Sequence, residues 1–330
     1  MHFHVKKVIV IGLGSMGKRR IRLLKERKDV EIFGIDTQME RVKQVTEDLG
    51  ISCYTDLQEA IDKEKPSCAF VCTSPLSHAK LINLCLQNKL HVFTEINLVS
   101  DLYDENIKLA HDNNCVLFLS STFLYEEDTK AIINKVRPCN EKLNYIYHVG
   151  QYLPDWHPWE SYNNYFIGNP RTNGCREIMA IDMPWLVSAF GDIANVSAIK
   201  SKNTDLNIDY ADNYLITIEH ETGAKGVFAV DVVSRKATRH LEVYGEKLHL
   251  TWNGTSDSLY EYDYLKSKKD LQVKIEEEAE HVDGYADFIT ENPYREEINA
   301  FFNQVENGIT PDWDFEKDKT LLSIIDEIEQ

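Results

Sequence analysis

Basic residues are scarce in this chain. Its 330 residues include 36 Lys and Arg against 54 Asp and Glu, which gives a formal net charge of −18 at pH 7. Nucleic acids and anionic membrane surfaces are bound through basic patches, so this balance argues against both as partners. A run of about 20 apolar residues, the length that spans a bilayer, is also missing. The sequence therefore predicts neither a nucleic-acid-binding protein nor a membrane protein.

Cysteines with the spacing of metal or redox motifs are absent as well. None of the seven cysteines forms a CxxC, and several lie within apolar runs such as residues 68–72. We therefore expect free thiols in a reducing compartment and no metal site. Lys6 and Lys7 lead directly into the first apolar run, unlike a signal peptide. These features predict a cytoplasmic protein.

A glycine-rich turn is the most informative feature that the chain does contain. Residues 8–17 read VIVIGLGSMG, an apolar run with three glycines after it. In a dinucleotide-binding βαβ unit the first glycine permits a tight turn, the second lets the backbone approach a pyrophosphate, and the third lets the helix pack on the strand. The helix N-terminus then faces the phosphates. The alternative is a coincidental glycine turn in an unrelated α/β protein. We expect a dinucleotide to bind at Gly12, Leu13, Gly14, Ser15, Met16 and Gly17.

The acid expected at the end of the second strand of such a unit is Asp36. It follows the apolar run 30–35 and stands 19 residues after Gly17, where a carboxylate accepts hydrogen bonds from a ribose 2′-hydroxyl. The same carboxylate repels a 2′-phosphate. Thr37 adds no positive charge, and Arg41 is the nearest residue that could supply one. The pattern therefore predicts NAD, bound at Asp36 and Thr37, in preference to NADP.

The order of strand-like and helix-like segments predicts two domains. Up to residue 121, apolar runs alternate with helical stretches of about a dozen residues, which is typical of βαβ units. From residue 143 onwards, strand-like runs follow one another with short turns. We expect an α/β domain over residues 1–121, with a doubly wound parallel Rossmann sheet that binds NAD. We expect residues 122–330 to form an α+β domain for substrate binding and oligomerisation, on an open, mostly antiparallel sheet. A C-terminal helix at 294–307 is expected to pack back on the Rossmann domain.

Four further segments, in this order, resemble motifs of the Gfo/Idh/MocA family of sugar and inositol oxidoreductases. Residues 73–78 (TSPLSH) are similar to its T-x-P-x-x-H loop, and residues 91–95 (HVFTE) to the strand before its E-K-P motif. Residues 174–191 are similar to the helix of its D-x-G-x-H pattern, and residues 294–311 to its C-terminal helix and turn. The resemblance implies a nicotinamide cofactor. It also implies cofactor contacts by Thr73, Ser74, Pro75, His78, Glu95 and Asn97.

Two catalytic positions of that family are occupied by apolar residues in this chain. Residues 95–97 read Glu-Ile-Asn where the family has Glu-Lys-Pro, and Ile96 can neither hold a hydroxyl nor take its proton. In the second motif Glu177 matches the family's aspartate, and Ile181 matches its histidine, the usual general base. Asp182 lies one position further on. The family's usual mechanism therefore does not carry over directly.

The segment 155–160 (DWHPWE) offers groups that suit a sugar site. Aromatic rings stack on the C–H faces of sugars, while histidine and carboxylates bond the hydroxyls. We hypothesise that His157 acts as catalytic acid or base, oriented by Glu177 or Asp182. Trp156 and Trp159 are the predicted substrate-binding aromatics. The alternative is that both tryptophans are core or interface residues and that His157 caps a turn.

Arg176 stands directly before Glu177. Its guanidinium fork fits two roles, namely gripping a substrate carboxylate or phosphate, and forming a buried ion pair. The sequence leaves both open.

The leading prediction is an NAD-dependent oxidoreductase that transfers hydride between nicotinamide and an alcohol or carbonyl carbon of a sugar or sugar nucleotide. The altered motifs resemble those of family members that accompany bacterial surface-carbohydrate pathways. One alternative is an NAD-binding regulatory or structural protein without catalysis, and another is a reductase of a C=C or C=N bond. Open sheets of such second domains often pair across a dimer, so we expect a homodimer or homotetramer.

Overall fold

The computed structural model describes residues 5–157, 160–275, 280 and 290–330. The chain divides into two units. The N-terminal unit comprises Met1–Ser121 and Tyr294–Lys319, and the C-terminal unit comprises Thr122–Pro293 and Thr320–Gln330. The sequence predicted one domain boundary after residue 121. The division differs from it because residues 294–319 pack within the N-terminal unit.

Strands and helices alternate along residues 5–121, as the sequence predicts. In chain order they are β1 (Lys6–Ile11), α1 (Ser15–Leu24), β2 (Val30–Ile35), α2 (Met39–Leu49), β3 (Ser52–Tyr54), α3 (Leu57–Glu64), β4 (Cys68–Val71), α4 (Pro75–Gln87), β5 (His91–Thr94), α5 (Tyr103–Asp112) and β6 (Leu117–Leu119). Over the described residues, the strands form a six-stranded parallel sheet in the order β3-β2-β1-β4-β5-β6. The predicted doubly wound Rossmann sheet is confirmed.

The central strands of this sheet are apolar on both faces. Residues 8–10 of β1 and all of β4 have no exposed surface. Helices cover both sides of such a sheet, so its strands need no alternation of polar and apolar residues. The strand order reverses between β1 and β4, and the carboxyl ends of these two strands therefore flank the position where doubly wound sheets bind ligands.

The C-terminal unit is built mainly on a second sheet. The elements that follow β6 are α6 (Glu127–Val136), β7 (Asn144–Gly150), α7 (Gly174–Phe190), β8 (Ile193–Ser201), β9 (Asn213–His220), β10 (Lys225–Asp231), β11 (Thr238–Tyr244), β12 (His249–Trp252), β13 (Tyr260–Tyr262), β14 (Asp270–Gln272), α8 (Asn292–Asn307) and α9 (Phe315–Glu329). Short 3₁₀ helices lie at Thr122–Leu124, Leu153–Asp155, Tyr162–Asn164, Phe166–Gly168 and Pro170–Thr172. Within the described residues the second sheet has eight strands, in the order β14-β13-β12-β11-β7-β10-β9-β8.

The strand pairs of this second sheet are antiparallel except for β7 and β10, which run parallel. The predicted open, mostly antiparallel sheet is confirmed. One face packs on α7, where Tyr145 stacks on Phe190 with ring centroids 4.4 Å apart and Tyr147 meets Trp185 edge to face at 5.3 Å. The other face carries exposed side chains, because successive residues of a strand point to opposite sides.

Helix α8 provides a face of the N-terminal unit's core. The ring of Phe301 packs edge to face on Phe70, Phe93 and Phe118, with centroids 5.2, 5.9 and 5.9 Å apart. Burying a phenylalanine of this kind contributes about 2 to 3 kcal/mol. This packing explains why the chain from Tyr294 onwards belongs to the N-terminal unit.

Among the residues that the structure describes, no helix has both the length and the apolar character needed to cross a membrane. In the same part of the chain, no group of three or more His, Cys, Asp or Glu side chains is arranged to hold a metal ion.

Candidate functional site

The turn between β1 and α1 has a shape that only glycine fits. Gly12 adopts a φ of +93°, and a Cβ there would lie 2.7 Å from the carbonyl oxygen of Cys72. A Cβ on Gly17 would lie 1.8 Å from the carbonyl oxygen of Gly12, so the helix could not approach the strand as it does. At Gly14 the Cβ position faces open space, with no atom within 4 Å. The turn is therefore tight on the protein side and open beside Gly14, as a pyrophosphate cradle requires.

Helix α1 begins beside this open space. Its N-cap is Gly14, which has no side chain to bond the first N–H groups of the helix, and its first turn contains no acidic residue. Ser15 is exposed and Met16 is half-buried. The positive end of the helix dipole therefore faces the position where a phosphate would lie.

Asp36 follows the last residue of β2, and its carboxylate binds the backbone of the glycine turn. One carboxylate oxygen accepts a hydrogen bond from the Leu13 N–H at 2.9 Å, and the other accepts one from the Gln38 N–H at 2.9 Å. Arg41, the cation that the sequence left available for a 2′-phosphate, lies 3.6 Å from the Asp36 carboxylate. Thr37 is exposed next to it. The carboxylate is thus oriented by backbone donors, and this geometry fits a dinucleotide whose ribose carries a free 2′-hydroxyl.

The loop after β4 is fastened by His78. The ring Nε2 lies 2.9 Å from the carbonyl oxygen of Thr73, and Nδ1 lies 2.8 Å from the side-chain oxygen of Asn97. Each ring nitrogen thus faces an oxygen of a different segment. Burial lowers the pKa of His78. Ser74 stands at the N-cap position of α4, and Pro75 is the first residue of the helix. These residues lie at the carboxyl ends of β4 and β5, and His78 acts as a clamp between the two segments.

Glu95 lies in a buried ion cluster. Its two oxygens accept hydrogen bonds from Arg20, at 2.6 and 3.1 Å, and Arg20 also bonds Glu297 of α8 at 2.6 Å. Ser120 and Ser121 donate to the other oxygen of Glu297 at 2.9 and 2.7 Å. Glu95 was expected to contact the cofactor. In the structure both of its carboxylate oxygens instead accept hydrogen bonds from the Arg20 guanidinium. The sequence did not single out Arg20, although a charged residue between Gly17, Ile21 and Leu24 on the buried stripe of α1 is a usable signal.

The first turn of α7 is held by an ion pair that involves Arg176. Asn173 caps the helix by accepting the Arg176 N–H at 2.8 Å, and its amide donates to Glu329 at 2.7 Å. The Arg176 guanidinium bonds Asp326 at 2.7 Å and also bonds Glu329. Of the two roles considered for Arg176, the structure shows the ion pair. The predicted substrate contact is thereby corrected, because α9 occupies the guanidinium fork.

Glu177 lies on the next position of α7 in an environment that favours the protonated acid. Burial raises the pKa of Glu177 to about 7. Tyr165 and Tyr210 lie close by, and the charge of Glu177 acts on both phenols. A carboxyl group whose pKa lies near neutral pH can both donate and accept a proton, which is the property required of a general acid or base. The sequence predicted Glu177 but not the two tyrosines, since neither stands in a recognisable motif.

His157 lies in the loop after β7, half-exposed, and contacts different groups from those expected. Its Nδ1 lies 2.9 Å from Glu160, and its ring stacks on Tyr165 with centroids 4.6 Å apart. The indole of Trp156 donates to the carbonyl oxygen of Gln151 at 3.1 Å and packs beside the start of α7. Trp159 lies outside the described residues. The expectation that Glu177 or Asp182 orients His157 is thus replaced by a contact with Glu160.

Asp182 is fully buried in the core of the C-terminal unit. One oxygen accepts hydrogen bonds from the Tyr147 hydroxyl at 2.5 Å and the Trp185 indole at 3.1 Å, and it also pairs with Arg239. These partners belong to the sheet and to α7 itself. A carboxylate without solvent-accessible surface cannot exchange a proton with a substrate, so the structure gives Asp182 a structural role.

Comparison with known proteins supports the resemblance found in the sequence. Residues 6–120, about a third of the chain, match the model of the Gfo/Idh/MocA family, described as an oxidoreductase family with an NAD-binding Rossmann fold. The predicted resemblance is confirmed over these residues, and so is the prediction of an NAD-binding Rossmann domain.

A curated relative covers the same part of the chain. Myo-inositol 2-dehydrogenase of Thermotoga maritima is 29% identical over 119 residues, which are 36% of this chain and 36% of that protein. The match thus spans little more than a third of the length of the relative.

Solved structures cover both units. UDP-N-acetylglucosamine 3-dehydrogenase GnnA of Acidithiobacillus ferrooxidans has a TM-score of 0.75 at 14% identity, over 98% of this chain and 96% of that one. GenD2 of gentamicin A biosynthesis, solved in complex with NAD, has a TM-score of 0.76 at 17% identity, over 99% and 94%. At these identities the likeness shows the fold, including that of the C-terminal unit.

Proposed function

We propose that this chain is an NAD-dependent oxidoreductase that transfers hydride between the nicotinamide ring and an alcohol or carbonyl carbon of a sugar or sugar nucleotide. The observation that carries the proposal is the glycine turn beside Asp36. It combines an open face at Gly14, an uncapped helix N-terminus and a carboxylate held by two backbone N–H groups. This arrangement suits a pyrophosphate with an adjacent ribose and disfavours a 2′-phosphate.

Each part of the cofactor site has a distinct task in this proposal. Gly14 and the first residues of α1, Ser15 and Met16, hold the pyrophosphate, while Asp36 accepts from the ribose hydroxyls. The loop from Thr73 to His78 is kept rigid by the His78 clamp and lines the rest of the site. When bound, NAD supplies hydride transfer.

The proton-handling group of this proposal is Glu177. Glu177, with its pKa raised to about 7 by burial, holds a proton at the substrate oxygen when a carbonyl is reduced and takes it when an alcohol is oxidised. This role replaces that of the family's lysine and histidine, whose positions are held by Ile96 and Ile181. His157, half-exposed and bonded to Glu160, is the proposed exchange point with solvent.

The names of similar proteins support the substrate class. One similar protein is named a myo-inositol 2-dehydrogenase and another a UDP-N-acetylglucosamine 3-dehydrogenase. The departure at Ile96 and Ile181 favours a second candidate, an NAD-binding protein without turnover. Two other predictions, a cytoplasmic location and a place in bacterial surface-carbohydrate biosynthesis, stay predictions.

The cofactor proposal is tested by titrating the full chain with NADH and with NADPH while following nicotinamide fluorescence. We expect NADH to bind at least about tenfold more tightly than NADPH, since the Asp36 carboxylate repels a 2′-phosphate. Asp36→Ala should weaken NADH binding about ten- to hundredfold, the usual effect of losing hydrogen bonds to a charged group. The matched control is Asp48→Ala, an exposed acid on α2. Failure to bind either nucleotide would contradict the proposal.

We also propose that the chain forms a homodimer through the open face of the eight-stranded sheet. That face exposes large apolar side chains on neighbouring strands, including Ile146, Ile199, Leu215 and Val227, with Ile199 75% and Leu215 54% exposed. Ile199 pairs with Leu215, and Val227 pairs with Ile146, so the four side chains form a patch. Contiguous exposed apolar surface of this kind is typical of an interface. A homotetramer remains the alternative assembly.

A further inference from the structure

Arg20 fastens helix α1 to the end of strand β5. It lies in the second turn of α1, and its guanidinium donates to both carboxylate oxygens of Glu95, at 2.6 and 3.1 Å. Glu95 directly follows β5, and its side chain is 10% exposed, against 0% for that of Arg20. The ring centroids of Phe93 and Tyr294 lie 4.5 and 5.1 Å from the central carbon of the guanidinium and restrict its movement. A two-pronged contact of this kind fixes the orientation of its partners as well as their distance.

The segment after β5 is fastened in turn to the loop after β4. The side-chain oxygen of Asn97 lies 2.8 Å from Nδ1 of His78, and Nε2 of the same ring lies 2.9 Å from the Thr73 carbonyl oxygen. Thr73 packs against the glycine turn, since a Cβ on Gly12 would lie 2.8 Å from its methyl carbon. The contacts therefore form a closed ring, which runs from the glycine turn through α1, the end of β5 and the loop after β4 back to the glycine turn.

Stability alone does not explain the contact between Arg20 and Glu95. A buried ion pair rarely stabilises a fold more than apolar residues of the same size would, because both charges lose their hydration. Arg20 also has a second carboxylate partner, Glu297 at 2.6 Å, which joins α1 to α8. The contact with Glu95 is different, because it acts on a segment that borders the switch point of the sheet.

This segment lies on the side of the sheet where the nicotinamide half of NAD is expected. The strand order is β3-β2-β1-β4-β5-β6, so β2 and β5 lie on opposite sides of the glycine turn after β1. In the function proposed above, the glycine turn holds the pyrophosphate and Asp36, at the end of β2, accepts from the adenosine ribose. The other half of the cofactor then extends in the opposite direction, over the carboxyl ends of β4 and β5.

We propose that Arg20 is a positioning residue for the nicotinamide half of the cofactor. By holding Glu95 it sets the place of residues 95–97 and, through the His78 clamp, of the loop 73–78. Arg20 itself contacts neither cofactor nor substrate. The proposal rests on the function proposed above and deepens it. Loss of the contact between Arg20 and Glu95 should weaken binding of the nicotinamide half and spare the adenosine half, which is held at the glycine turn and Asp36.

Calorimetric titration of the full chain with NADH and with ADP-ribose tests this. ADP-ribose has the pyrophosphate and both riboses of NADH but lacks the nicotinamide ring, so the ratio of the two dissociation constants isolates the ring. The variants are Arg20→Lys, which keeps a cation but loses the guanidinium fork, and Glu95→Gln, which keeps the shape of the side chain. The matched control is Glu297→Gln, which disturbs the same ion cluster on the side of α8. Urea unfolding checks that each variant is folded.

We expect the wild type to bind NADH more tightly than ADP-ribose. Arg20→Lys and Glu95→Gln should each weaken NADH binding about three- to tenfold, the usual effect of losing one hydrogen bond, and change ADP-ribose binding by no more than about twofold. Glu297→Gln should lower the urea midpoint and leave the ratio of the two dissociation constants unchanged.

The proposal is overturned if the Arg20 and Glu95 variants weaken both ligands equally, which is the result of a purely structural role, or if they bind NADH like the wild type. It is also overturned if Glu297→Gln changes the ratio as they do, or if the wild type binds both ligands equally well. A wild type that binds neither ligand overturns the proposed function as well, so the two failures are distinguished.

Discussion

Replacing Glu177 by glutamine tests the environment of the proposed proton-handling group without reference to any substrate. Burial raises the pKa of Glu177 to about 7, against the ordinary value of 4.5. The folded chain therefore keeps this proton at pH values where the unfolded chain has lost it. Because the pKa is raised on folding, the contribution of this group to the free energy of unfolding is fully present below pH 4.5 and is lost as the pH rises towards 7.

The size of this effect follows from the two pKa values. Each pH unit between them is worth about 1.4 kcal/mol, so the complete loss is on the order of 3 kcal/mol. Glutamine has nearly the shape of the protonated acid and does not titrate. We therefore expect Glu177→Gln to be more stable than wild type by about 1 kcal/mol at pH 5 and by about 3 kcal/mol at pH 8.5.

The assay is urea unfolding of the full chain at both pH values, followed by tryptophan fluorescence and circular dichroism. At each pH we subtract the free energy of unfolding of the wild type from that of the variant. We then compare this difference between the two pH values, because the titration of all other groups cancels in it. The control is Glu221→Gln, an exposed carboxylate in the turn between β9 and β10, whose difference should not change. A difference for Glu177→Gln that is the same at pH 5 and pH 8.5 would refute the argument from burial.

Three further changes test other parts of the structure. Arg20→Met leaves two buried carboxylates without their cation, so we expect a loss of about 3 to 5 kcal/mol in urea unfolding; an unchanged midpoint would contradict the buried cluster. Leu215→Lys places charges on the open sheet face and should convert a dimer to monomers in size-exclusion chromatography with light scattering. A wild-type monomer, or a variant that stays dimeric, would exclude this interface. Glu329→Gln weakens the partner of Arg176 and should lower the unfolding free energy by about 1 to 2 kcal/mol, whereas Glu327→Gln, exposed on the same helix, should not.

Some secondary structure escaped prediction for identifiable reasons. Strand β8 lies at the sheet edge and alternates only weakly, with several small or polar residues among its nine. Strands β13 and β14 are three residues each, too short for a periodicity signal. Helix α9 did carry a signal, since Leu321, Leu322, Ile325 and Ile328 recur at helical spacing and are buried. Its many acidic residues obscured that pattern.

Part of the candidate site was accessible from sequence because its geometry is local. The glycine turn, the helix start and Asp36 belong to one βαβ unit, in which hydrogen bonding and sterics fix the spacing of the residues. Glu177 was accessible through its position in a recognisable helix motif, but its raised pKa was not, because burial depends on side chains from distant segments.

The sequence by itself determined the Rossmann domain, the open second sheet and the preference for NAD, since periodicity and turn chemistry act between near neighbours. Only the tertiary structure decided which charged residues serve the fold. Arg20 meets Glu297, 277 residues away, and Arg176 meets Glu329, 153 residues away. A charged side chain forms an ion pair when folding places an oppositely charged group next to it. Such contacts join residues far apart in the chain, so the spacing of residues along the sequence does not predict them.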